Sequence, residues 1–330
     1  VGTNLKIVLD VSGSMDDSAG VPGFSTRLEV AKSAIAKLIA EYDGLGDVAV
    51  RLVTFSSGSG TLGDGWMSAQ DAIDLINDLS NWYGNGVTNY DAALAKAQSA
   101  FLADGKIVGG QNVSYFMSDG EPTIDNYGSK GKGIDSAEQA AWESFLVQNG
   151  IKSYALGMGE GVSSGPLAPI AYDGSTSKEL APIVVTDLAQ LEATLSGTVS
   201  VPADGNLVTE GLATGGFGAD GAGGQPVFSI SHDHDGNPAT PDIVYTADSS
   251  QYNAANHTLT IDTAGGGTLS VNFKTGAYTY NPPANVTEDI VERFRYTLQD
   301  GDGDQRSASL SITVRDGVPM ANDDTIVAQA

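Results

Sequence analysis

The 330 residues hold Asp+Glu 41 against Lys+Arg 16, a formal net charge of -25 that repels phosphate backbones and anionic membrane surfaces and so sets nucleic acid aside as a partner. Cysteine is absent, which excludes disulfides and thiolate metal sites. No apolar run approaches the ~20 residues that span a bilayer, and no direct membrane insertion is expected.

At this length two domains of ordinary size fit, each with its own core. The acidity itself has three readings that composition leaves open: general solubility, a salt-rich habitat, or carboxylates loaded with calcium. That cation prefers oxygen ligands and serves as a staple outside cells where disulfides are lacking.

The chain starts without a charged leader or signal core and runs at once into Leu5-Lys6-Ile7-Val8-Leu9, so both ends are expected to be cut from a longer protein. From residue 1 to 198, strand-like runs alternate with helical ones. Strands are expected at 5–11, 48–55, 113–117, 153–156 and 183–185, and helices at 28–39, 69–79, 90–102, 135–148 and 188–195. In the first helix Leu28, Ala31, Ile35, Leu38 and Ile39 share one face. Such alternation specifies an α/β domain with a doubly wound, mostly parallel sheet, whose sites form in loops beyond the carboxyl ends of the strands. The Gly-rich stretches 56–65 and 83–86 read as rim loops, since no Gly-Lys-Ser/Thr ending marks them as phosphate cradles.

Near residue 199 the texture changes, and 199–206 is expected to be a linker. Glycines at 215–224 then interrupt any helical period, and short alternating runs follow at 258–261, 268–273, 277–280, 293–298 and 309–314. Residues 207–318 are therefore expected to form an all-β sandwich, with Lys274-Thr275-Gly276 as a hairpin turn and 319–330 as a linker to a next module.

Chemistry concentrates where the first strand ends. Asp10-Val11-Ser12-Gly13-Ser14 delivers one carboxylate and two hydroxyls to the carboxyl edge of the sheet. Thr88 stands near the start of a later helix, and Ser118-Asp119-Gly120 follows the 113–117 strand, so three separated segments converge on one rim. All are oxygen donors, suited to a hard divalent ion, and the neutral hydroxyls leave it charge for an incoming partner.

The order Asp-x-Ser-x-Ser, a Thr opening a helix, then Ser-Asp-Gly after a hydrophobic strand resembles the metal-ion-dependent adhesion site of von Willebrand factor A domains. The resemblance covers residues 3 to 198. It implies that Ser12, Ser14 and Thr88 are hydroxyl ligands, that Asp10 and Asp119 bind the metal directly or through water, and that the ligand's own carboxylate fills the remaining position. The ion is Mg2+ or Ca2+, and Mn2+ suits the same donors. Asp16-Asp17 is similar to a stretch that holds a second, adjacent calcium in integrin β-type domains, the plainer reading being two solvated loop carboxylates.

In the second half, Asp300-Gly301-Asp302-Gly303-Asp304 places three carboxylates at alternate positions, as a tight calcium loop requires, without the later Glu of an EF-hand. With the strands around it, this loop resembles the cadherin-like repeats of RTX adhesins, large bacterial proteins exported by type I secretion. The likeness implies Ca2+ in the sandwich and, through Asp316, Asp323 and Asp324, at the junction with a neighbouring module. His232-Asp233-His234-Asp235 reads as a calcium-binding or plain polar loop rather than a zinc site, because no third His-rich segment accompanies it.

These readings lead to a non-enzymatic binding module of a bacterial surface adhesin, extracellular, that captures a protein or glycan ligand on a host cell or in a biofilm. The alternative is a spacer whose metals only stabilise the fold. Hydrolysis lacks a general base in the motif, and an ATP-coupled role lacks a phosphate loop.

Overall fold

A computed structural model describes residues 2–78, 84–126, 133–212, 216–233, 240–283, 286 and 288–314. The chain divides into two units, Val1–Leu195 and Ser196–Ala330.

The first unit runs β1 (Thr3–Asp10), α1 (Arg27–Leu45), β2 (Val48–Phe55), β3 (Ser59–Ser68), α2 (Ala69–Asp78), α3 (Tyr90–Phe101), β4 (Gln111–Ser118), α4 (Ser136–Asn149), β5 (Ile151–Met158), α5 (Ser164–Leu167), β6 (Tyr172–Asp173), β7 (Lys178–Glu179), β8 (Ile183–Val185) and α6 (Leu191–Ser196). The sheet order is β3-β2-β1-β4-β5-β6-β7, with β8 also on β5. Strands β2, β1, β4, β5 and β8 are parallel, whereas β3, β6 and β7 join antiparallel. Every residue of β1 is buried, as a central strand covered on both faces must be.

Helix starts are set by local chemistry. Thr26 and Glu29 form a reciprocal capping box before α1, and Asp135 and Glu138 form another before α4. Gly150 closes α4 in the left-handed conformation at φ 56°. From β1 the chain passes to β2 on one side and returns to β4 on the other, which makes the carboxyl ends of β1 and β4 the switch point of the sheet.

One expectation fails here. The stretch 56–65 is not a rim loop alone, because Ser59 begins β3, an antiparallel edge strand against β2. Gly60, Gly63 and Gly65 and the polar Ser59, Thr61, Asp64 and Ser68 make up most of it, so it carries little of the apolar alternation by which strands are read.

The second unit runs β9 (Ala203–Asn206), α7 (Leu207–Gly211), β10 (Ala222–His232), β11 (Ile243–Tyr245), β12 (Tyr252–Asn253), β13 (Thr258–Asp262), β14 (Thr268–Asn272), β15 (Ala277–Asn281), β16 (Ile290–Asp300) and β17 (Gln305–Val314). The strands form two antiparallel sheets, β11-β10-β16-β17 and β12-β13-β14-β15-β9. Leu259, Val271 and Tyr280 of one sheet share a core with Ile230, Phe294 and Leu298 of the other. Alternation is clearest in β16, where Phe294, Tyr296 and Leu298 are buried and Arg293 and Arg295 exposed. The expected turn at Lys274-Thr275-Gly276 joins β14 to β15, with Asn272 Oδ1 accepting from the amides of Lys274 and Thr275 and Gly276 at φ 79°.

Residues 199–206 are not all linker: Ala203–Asn206 is strand β9, paired with β15. Its sequence, Ala-Asp-Gly-Asn, has no strand pattern, and only the partner strand creates it. Among the described residues no helix is long and apolar enough to cross a membrane.

Candidate metal centre

Asp10, the last residue of β1, is fully buried and held at both oxygens. The Ser12 amide donates to Oδ1 at 2.8 Å and the Ser118 hydroxyl to Oδ2 at 2.6 Å. Burial pushes its carboxyl up to about 6, against the downward pull of the Ser118 and Ser12 bonds.

From Thr88 a chain of oxygens crosses the rim. The Thr88 hydroxyl donates to Ser12 Oγ at 3.2 Å, Ser12 Oγ lies 3.3 Å from Ser14 Oγ, and Ser14 Oγ donates to Asp119 Oδ1 at 2.7 Å. All five residues predicted for the site are thus brought together. Thr88 is free for this role because Asn89, not Thr88, caps α3, its side chain accepting from the Ala92 amide at 3.0 Å. A Thr that only capped its helix would not turn its hydroxyl to Ser12.

Loop-to-loop bonds hold the chain of oxygens. The Gly13 amide donates to the Gly86 carbonyl at 3.1 Å, and the Asn85 amide to the Val11 carbonyl at 2.9 Å. A side chain at Gly84 would stand 2.4 Å from the Ser12 carbonyl oxygen, so only glycine permits this approach. Buried Tyr90 donates to the Gly120 carbonyl at 2.9 Å and fixes the loop after β4.

Two roles lie beyond the motif reading, that of Ser118, which the Ser118-Asp119-Gly120 run contains, and that of Arg27. Ser118 sits beneath Asp10, and Arg27, the first residue of α1, donates from one guanidinium nitrogen to Asp119 Oδ2 at 2.8 Å. Nothing in the sequence around α1 pointed Arg27 toward Asp119. Asp16 and Asp17 do not join the cluster: both are exposed, and Asp16 Oδ1 accepts from the Gly84 amide at 2.8 Å. They brace a loop, and no third carboxylate stands with them among the described residues.

The donors fit a hard divalent cation. They are all oxygens, two anionic and three neutral, drawn from the ends of β1 and β4 and the start of α3, and no His stands among them.

In the second unit the expected triad is altered. Asp300 and Asp302 are joined by Asp220, each offering an oxygen within 4.8 Å of the others, and Asp304 is not in the group. Asp304 instead donates its amide to Asp300 Oδ1 at 2.8 Å, since the loop turns back on that carboxylate. Its bond to Asp300 and that neighbour's charge push Asp302 up, a sign of crowded carboxylates. Asp316, Asp323, Asp324 and His234 lie outside the described residues. His232 is no loop residue: it ends β10, is buried, stacks on Phe294 and meets Glu292 at 3.3 Å.

Residues 5–121 match the model of the von Willebrand factor type A domain. No curated protein matches the chain. Similar solved structures include proximal thread matrix protein 1 from the mussel byssus, with 17% identity over 62% of this chain and 49% of that one and a TM-score of 0.47. The PilB minor pilin of Streptococcus sanguinis shows 19% identity over 59% of this chain and 60% of its own, at a TM-score of 0.44. A von Willebrand factor type A protein from Catenulispora acidiphila shows 16% identity over 95% and 66%, at 0.42. This chain thus spans about half the length of the mussel protein it matches.

Proposed function

We propose that the first unit captures an acidic or oxygen-rich ligand through a divalent cation, Mg2+ or Ca2+, as the binding module of a large bacterial surface adhesin. The observation that carries this reading is the continuous run of oxygens from Thr88 through Ser12 and Ser14 to Asp119, beside the end of β1 that bears Asp10. Ser12, Ser14 and Thr88 would hold the cation, with Asp10 and Asp119 binding it directly or through water. Bound there, the cation supplies a Lewis-acidic face that attracts a carboxylate or similar oxygen. Neutral hydroxyls leave more of its charge unspent than a cage of carboxylates would.

The second unit is read as a calcium-stiffened sandwich of the cadherin-like kind found in RTX adhesins exported by type I secretion. Support comes from its two-sheet core and from Asp220, Asp300 and Asp302, whose mutual repulsion a cation relieves. Such a chain stands outside the cell, joined to neighbouring modules, and meets a protein or glycan on a host cell or in a biofilm. No step of this function is catalytic.

The test uses carboxylate-coated beads. The chain is expected to be retained with Mg2+ or Ca2+ and released by chelator, and Asp10→Asn and Thr88→Ala are expected to lose retention while remaining folded. Equal retention by Thr88→Ala and wild type makes the first unit a spacer instead.

A further inference from the structure

Asp119 is shared between two claims. Its Oδ1 accepts from Ser14 within the oxygen cluster, and its Oδ2 accepts from Arg27 at 2.8 Å, with the carboxylate side chain wholly buried and that of Arg27 21% exposed. Arg27 is held in place from several sides. Its amide donates to the Asp17 carbonyl at 3.0 Å, the Thr26–Glu29 box fixes the turn it starts, and a methyl group added at Gly159 would meet its guanidinium at 3.8 Å. A planar, permanently charged fork in this position does two things. It turns one carboxylate oxygen away from the cluster, and it cancels part of the negative charge the cluster can offer a cation.

We infer that Arg27 is a positioning residue that withholds half of Asp119 from the cation and thereby makes the site select an anionic ligand over a neutral one. The inference rests on the metal-binding reading and names its ligand class. The sum of charges shows why. Asp10 and Asp119 bring two negative charges and Arg27 returns one positive, so a dication in the cluster keeps a net positive charge; without Arg27 the same groups sum to zero. A cation left electropositive is held less tightly by the protein and draws an incoming carboxylate more strongly. A neutral glycan hydroxyl gains far less from that charge. Arg27 therefore trades metal affinity for preference toward acidic groups.

The trade can be measured by titrating Mn2+, followed by isothermal calorimetry, into wild type, Arg27→Gln and Arg27→Lys, alongside Mn2+-dependent retention on carboxylate-coated and on dextran beads. Arg27→Gln is expected to bind Mn2+ roughly tenfold more tightly and to lose its preference for the carboxylate beads. Arg27→Lys, which keeps the charge, is expected to hold the wild-type Mn2+ affinity and serves if the Gln variant does not fold. A purely structural role would weaken metal binding and retention together, so an Arg27→Gln chain that binds Mn2+ no more tightly than wild type overturns the inference. The same holds for a folded Arg27→Lys that gains Mn2+ affinity. Wild type that takes up no Mn2+ overturns the metal reading itself and this inference with it.

Discussion

The Ser118 hydroxyl donates to Asp10 Oδ2 at 2.6 Å, a bond between the last residues of two neighbouring parallel strands, directly beneath the oxygen cluster. Without it a buried carboxylate oxygen loses its partner. Ser118→Ala is expected to cost about 1–3 kcal/mol of stability, read by urea denaturation, and to weaken Mn2+ binding. A variant as stable as wild type would mean that the bond contributes nothing.

Asp10→Asn separates folding from metal binding. A carboxyl held at about 6 favours the fold while protonated, so its stabilising effect is complete below the ordinary 3.8 and is lost as pH rises through about 6. At pH 7.5 in chelator the charge is a burden, and Asp10→Asn is expected to melt higher than wild type, by on the order of 1–3 kcal/mol. Adding Mg2+ should then raise the melting temperature of wild type only. A lower melting temperature for Asp10→Asn in chelator would contradict this.

Lys6 is the oddest residue of the first core. It is fully buried in β1, donates to the Ala97 carbonyl at 3.1 Å, and lies over the rings of Phe101, Trp142 and Phe145. Burial, with Lys106 nearby, lowers it to about 7. Between about 7 and 10.5 the unfolded chain binds this proton and the folded chain does not, so stability contributed by Lys6 rises with pH across that window. Lys6→Met is expected to be more stable than wild type at pH 7, with the gain shrinking toward pH 10, as followed by thermal melts. A gain independent of pH would place its origin in packing.

Glu292 is a hub inside the second core. It accepts from Thr263, from the Gly265 amide at 3.0 Å and from Tyr280 at 3.2 Å, and faces His232 Nε2 at 3.3 Å. Burial pushes it up, but the bonds and charge of His232, with Thr263 and Tyr280, bring it to a net value below its usual 4.5. Its stabilisation is therefore present above 4.5 and fades as pH falls through the lower folded value. Glu292→Ala is expected to cost about 3–5 kcal/mol, and Glu292→Gln to flatten the loss of stability in acid. An acid profile identical to wild type in the Gln variant would refute the assignment.

Calcium in the second unit is tested by swapping carboxylates one at a time. In a chain whose first site is disabled by Asp10→Asn, Ca2+ is expected to raise the melting temperature, also with Asp304→Asn added, and not with Asp220→Asn or Asp302→Asn added. Loss of the calcium effect in Asp304→Asn alone would restore the loop grouping suggested by spacing.

What could be read from sequence was chemistry carried by short, local patterns. Asp10, Ser12 and Ser14 lie within five positions, and Thr88 and Asp119 each follow a recognisable boundary, so their convergence follows once the sheet is parallel. The bond of Ser118 to Asp10, although Ser118 stands in the Ser-Asp-Gly run, and the bond of Arg27 to Asp119 were not legible, because the partners lie 108 and 92 residues apart. Asp220 was hidden for the same reason, being brought to Asp300 only by the fold. Strands β3 and β9 went unseen because Gly-containing edges acquire their conformation from a partner rather than from their own side chains.

The short β9 has a mechanical consequence. A tug entering the sandwich from its amino side falls first on an edge ribbon matched with β15 over Ala203–Asn206, while one entering at the far side meets β17, matched with β16 from Gln305 to Val314. With four matched residues against ten, the amino-side ribbon is expected to peel before the carboxyl-side one under tension.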